Sequence, residues 1–174
     1  MKISMHTMSV ESFAPMLESL SAILDKGAAH AKDMKLDLVN ARLAPDMYTL
    51  SQQVQIACDH ANNCIACLVG KEPYHSERNE TTIDDLKTRI AKTIENLKSA
   101  EAADFEGAED RDCSVPGPNG MVFAMNGLQF LRAWALPHFY FHVVTAYDIL
   151  RHNGVVIRKQ DYLSQVGAFM RPSK

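Results

Sequence analysis

MYTLSQQVQIACDHANNCIACLVG, residues 47–70, is the stretch on which the fold turns. Met47, Leu50, Val54, Ala57, Ala61, Cys64 and Leu68 recur at alternating intervals of three and four residues. That rhythm stacks them along one face of an α-helix, and a seam so regular is what a helix in an antiparallel bundle needs. Pro45 and Asp46 supply a stop and an N-cap, and Gly70 an exit. His60 stands one position beside the seam, with Ile56 and Cys67, so it faces the bundle or its immediate flank.

Upstream, Val10, Phe13, Leu17, Leu20, Leu24 and Ala28 line one face of a first helix. Pro15 is acceptable in its first turn, which predicts a helix over 12–32. Residues 33–45 form a charged connector with a short helical turn over 36–41. Downstream, residues 71–80 are polar, aperiodic and carry Pro73: a loop. Thr82 and Asp85 resemble a capping box, opening a third helix with Ile83, Leu86, Ile90, Ile94 and Leu97 on one side and fading at Ser99. The acidic run of Glu101, Asp104, Glu106, Glu109, Asp110 and Asp112 reads as a solvated loop.

After Cys113 the period changes. Asn126-Gly127 separates the apolar run 121–125 from the run 128–134, the strongest short hairpin signal, so residues 121–134 are expected to form a two-stranded hairpin packed on the bundle. The alternative is that residues 128–135 are helical and continue into the last helix. Pro137 can begin that helix. Phe141, Val144, Thr145, Ile149 and Leu150 give it an apolar side, and Asn153-Gly154 ends it. The tail from Val155 wraps the outside.

The whole chain, residues 1–174, reads as one domain, because 174 residues bury one adequate core with little left for a second. A composition of 47% hydrophobic and 22% charged residues excludes disorder over most of the length. A net charge of -3 argues against nucleic-acid binding, which needs a basic face. No apolar run reaches the length of a membrane span or a secretory signal, so no membrane is expected and the cytoplasm is the expected location. Of the four cysteines, Cys64 and Cys67 form a C-x-x-C, which admits a redox or zinc reading. No second such pair follows and no strand precedes it, so all four are expected to be core residues in a reducing compartment.

Chemistry is sought among the seven histidines. Only His138 and His142 stand at i and i+4, a spacing that stacks two imidazoles on one helix face. His60, on a facing helix, would complete a three-nitrogen site with a fourth position open to water or substrate. The competing reading makes each ring a packed or capping group. Tyr147 and Asp148 point away from the shared face.

His138-Phe-Tyr-Phe-His142, then Tyr147-Asp-Ile-Leu-Arg151 and Gly154, resembles the closing helix of the DinB/YfiT-like superfamily, and His60 occupies the superfamily's second-helix histidine place. Four segments, Ile23-Leu-Asp-Lys26, Ala41-Arg-Leu-Ala-Pro-Asp-Met47, Gln53-Val-Gln-Ile-Ala-Cys-Asp-His60 and Leu136-Pro-His-Phe-Tyr-Phe-His142, look like the DUF1993 branch. The likeness covers most of the chain. It departs from many DinB helices in having His142-Val-Val-Thr where they carry H-R-G-Q. The resemblance implies an all-α fold, a four-helix bundle with up-down-down-up connectivity. A small hairpin would lie between its third and fourth helices. It implies a homodimer, a divalent ion such as Zn²⁺ or Ni²⁺ on the three histidines, and a metal-dependent enzyme of thiol-transferase-like or hydrolytic type acting on a small thiol. Against this stands a non-catalytic dimeric scaffold or small-ligand-binding protein with structural histidines.

Overall fold

Ser4 accepts the backbone N–H of Thr7 and so starts α1, Met5–Met34, in a computed structural model that describes residues 3–173. This start lies upstream of the expected Ser12, and Pro15 falls inside the helix rather than in its first turn. The missing N–H is tolerated because the surrounding turns are held by the apolar face: Phe13, Leu17, Leu20 and Leu24 are fully buried. α2, Leu50–Leu68, is capped by Thr49, not Asp46, since Thr49 and Gln52 complete a capping box nearer the apolar run. Its seam is as expected from Leu50 onward, with Leu50, Val54, Ala57, Ala61, Cys64 and Leu68 all at 0% exposure, but Met47, expected to open it, lies before the helix and is only partly buried. α3, Ile83–Ser99, begins with the Thr82–Asp85 capping box.

Cross-helix contacts give the directions. Lys87 pairs with Asp25 and Lys98 with Glu18, so α3 runs antiparallel to α1. Arg89 pairs with Asp59, and Asn96 donates to Asn62, so α2 and α3 are parallel. The connector between them, residues 69–82, must therefore travel back along the bundle, and it lies beside α2.

Residues 102–112 are turns and a short 3₁₀ segment, Ala102–Phe105, whose acidic side chains face water while Phe105 and Ala108 are buried. The hairpin exists between the third and fourth helices, but not at Asn126-Gly127. β1, Val115–Pro116, pairs with β2, Val122–Phe123, around the turn at residues 117–121. Asn126 instead caps a helix, accepting from Gln129 N–H. Gly127 is required by close approach: a Cβ there would lie 1.9 Å from the Ala108 carbonyl oxygen.

The helical alternative for residues 128–135 is the one found. Gly127–Gln129, a π-helical stretch Phe130–Ala135 and Leu136–His152 run on as one helix, α4. Pro137 thus lies inside α4. Its lost hydrogen bond and bulky ring fall where the backbone has already widened, with Leu136 N–H reaching the Leu131 carbonyl. The inward face is Phe139, His142, Val143, Ala146, Ile149 and Leu150. Phe141 and Val144, expected inside, are 58% and 40% exposed; the inward row descends from Phe139, which meets Phe13 across the core at 4.8 Å. Gly27 faces Leu150, so α4 is parallel to α1, and the bundle runs up-down-down-up. The tail, including α5, Lys159–Tyr162, is held on α1 by Lys26–Asp161 and by Ser19 against Ser164.

The cysteines divide in two. Cys58 and Cys64 are free and buried, as expected. Cys67 and Cys113 form a disulfide, which corrects the reading of all four as reduced core residues. Cys64 and Cys67 do not act together, because Cys67 lies at the seam's edge and turns towards the chain before β1. Among the described residues no helix is long and apolar enough to cross a membrane.

Candidate metal centre

Antiparallel packing of α2 on α4 sets His60 opposite His138 and His142. The ring centres of His60 and His138 are 4.8 Å apart, and those of His60 and His142 are 5.6 Å apart. Two imidazoles on one tetrahedral ion put their centres about 5 Å apart, given a metal–nitrogen distance of about 2 Å. The structure thus brings the three expected rings into one cluster, and the two separations that involve His60 lie near that value. As the rings stand, no group of three His, Cys, Asp or Glu side chains among the described residues is arranged to hold one, so coordination requires at least one ring to turn.

The orientation of His142 is set by a residue that the spacing argument missed. Gln53 donates its amide N–H to the Tyr48 carbonyl at 3.3 Å, which fixes the other end of the amide as oxygen. That oxygen stands 2.7 Å from Nδ1 of His142, so Nδ1 must carry the proton and Nε2 keeps a free lone pair. Gln53 lies two turns before His60 on the same α2 face, so helical spacing could have revealed it. Trp134 was also missed. It stands one turn before His138, stacks on that ring at 4.5 Å, and packs in turn against Phe123 of β2 at 5.1 Å.

Burial, followed by the neighbouring His138 and His142, lowers the His60 pKa to about 4. Burial, followed by His138 and Arg78, lowers that of His142 to about 4. Both rings are neutral at physiological pH, the protonation state a metal ligand needs. The Asp59 carboxylate offsets this lowering only in part at His60. Asp59, adjacent to His60, accepts from Arg78 at 2.7 Å and from Arg89 at 2.6 Å. Arg89 is buried at 8% side-chain exposure and also pairs with Glu80 at 2.7 Å. Burial would raise the Glu80 carboxyl, but hydrogen bonds from Arg89 and Gln55 outweigh it and leave it below its usual range. This network pins the returning loop to α2 and α3. Between loop and α2 lies a cleft of about 300 Å³ with Asp59, His60, Asn63, His75 and Arg78 on its walls. Tyr147 packs on Tyr162 of the tail.

The family model described as a domain of unknown function, DUF1993, matches residues 5–163. Among solved structures, the crystal structure of a DinB family member protein from Shewanella denitrificans is similar. The two are 38% identical, the match covers 97% of this chain and 94% of that one, and the TM-score is 0.83. No curated protein matches.

Proposed function

The chain belongs to the DUF1993 family, a DinB-like group, and on that premise we propose that it binds one divalent ion through His60, His138 and His142. Zn²⁺ and Ni²⁺ suit three imidazole nitrogens with no acid among them. The observation that supports this most directly is the pairing of close ring spacing with a bare Nε2 on His142, held by Gln53. To join them, His138 would leave its stack on Trp134. A bound ion supplies Lewis acidity and lowers the pKa of a water or thiol in its fourth position. The residues of the chain do the rest: Gln53 orients His142, the π-helical stretch sets the rotation of His138 relative to α2, and the loop 69–82 walls the open side. The reading extends to a metal-dependent enzyme of thiol-transferase-like or hydrolytic type, acting as a homodimer.

Elemental analysis of protein purified without a histidine tag is expected to find about one divalent ion per chain, falling to background in His142→Ala. Metal-free protein, or an occupancy unchanged in that variant, overturns the proposal. A second reading has its own support. His142 already has Gln53, and His138 already has Trp134, as packed structural rings would. It makes the protein a non-catalytic scaffold or small-ligand binder and predicts that chelators leave its thermal midpoint unchanged.

A further inference from the structure

The guanidinium of Arg78 is only half used. Its Nε–H and one Nη2–H both go to the same oxygen of Asp59, at 3.1 and 2.7 Å, which occupies the side-on edge of the planar group. The end-on edge, Nη1 with the second Nη2 hydrogen, makes no hydrogen bond among the described residues. That edge matches the two oxygens of a carboxylate. Asp59 cannot take it as well, because it already receives Arg89. The side chain is 48% exposed and lines the same cleft as His60 and His75.

We propose that Arg78 is the anchor for the carboxylate of a small substrate. The cleft between α2 and residues 74–78 would seat that molecule with its reacting end towards His60. The charge balance favours this class. Within the cleft, Arg78 and Asp59 cancel, so a divalent ion on the three rings would leave the site cationic. Asp59 is the positioning residue: it fixes the plane of Arg78 and is itself held by buried Arg89. The cleft volume, about 300 Å³, suits a molecule at the small end of the usual ligand range. The identity of the reacting end rests on the metal reading; the carboxylate anchor does not.

Two arms separate the two ideas. In the metal-free protein, propionate and its uncharged analogue propionamide are titrated while the Arg78 Nε–H resonance is followed by NMR, assigned by its loss in Arg78→Lys. A saturable shift with propionate alone is expected. No shift, or the same shift with the amide, overturns the anchor. In the cobalt-loaded protein, 3-mercaptopropionate and 2-mercaptoethanol are compared by the thiolate-to-cobalt absorption. The carboxylate-bearing thiol is expected to bind at least about tenfold tighter, an advantage worth roughly 1.4 kcal/mol. The advantage should fall to within about twofold in Arg78→Met. If it persists there, the carboxylate is chelating the metal and the anchor is wrong. Absence of any cobalt spectrum counts against the metal site alone and leaves the first arm to decide the anchor.

Discussion

At the scale of single residues, the imidazoles carry the sharpest expectations. His60 and His142 have pKa values near 4 in the folded protein, against about 6.5 in an unfolded chain. Between those values the unfolded state binds more protons, so stability rises with pH through the window. The contribution is complete above pH 6.5 and is lost progressively as the pH falls towards 4. Urea midpoints of the apo protein between pH 4 and 7.5 should show this slope, and His60→Asn should reduce it by about one proton. A profile identical in the variant would show that His60 is not held neutral. Gln53 gives a second test. Gln53→Leu leaves the buried Nδ1–H of His142 without an acceptor, an expected cost of about 1–3 kcal/mol, with metal affinity weakened about tenfold or more. The three histidines were legible because two share a helix face by spacing and the third sits beside a seam. Gln53 and Trp134 were equally in phase with them, but amide and indole carry no ligand chemistry and so drew no attention. Arg78 was not legible at all, since only the return of an aperiodic loop places it near His60.

At the scale of elements, the seam of α2 and the cap of α3 could be read directly because burial and hydrogen bonding there are local. Asn126-Gly127 could not. The dipeptide fits a tight turn, which needs positive φ, and it also fits a helix start whose glycine is pressed against another segment. Only the tertiary approach of the Ala108 carbonyl separates the two. Gly127→Ala should therefore cost about 2–3 kcal/mol through overpacking, although its φ is one that alanine could adopt. A change below 0.5 kcal/mol in the urea midpoint would contradict that packing. Pro15 and Pro137 misled in the same way: each was assigned to a first turn, and each lies inside a helix that packing carries through. The loop between α2 and α3 depends on Arg89, which bridges Asp59 and Glu80 in a mostly buried position. Arg89→Met removes the cation and strands two carboxylates, for an expected loss of about 3–5 kcal/mol. Because Asp59 also orients Arg78, any folded Arg89→Met protein should lose the propionate response too.

At the scale of the whole molecule, the disulfide ties together parts that the bundle alone would leave loosely coupled. Cys67 lies further along α2 than His60, and Cys113 precedes the hairpin whose Phe123 covers Trp134, which stacks on His138. The sequence reading missed this pair because its members are separated by 46 residues, and the nearer C-x-x-C competed for attention. The free cysteines cannot substitute for either partner: burial pushes Cys58 up to about 12 and Cys64 higher still, so neither supplies a thiolate for exchange. Denatured protein should therefore show two titratable thiols without reductant and four with it. Closing a loop of that separation is worth about 4 kcal/mol in the chain-entropy model, so reduction should lower the urea midpoint strongly, while Cys113→Ser should match the reduced protein and ignore reductant. The chain's one tryptophan is Trp134, and its fluorescence reports on the hairpin cover from within. Native protein treated with reductant should shift in emission as Phe123 loosens, before global unfolding begins. Four thiols without reductant would show that the bond does not form, and an unshifted emission would show that hairpin and site are held together by packing alone.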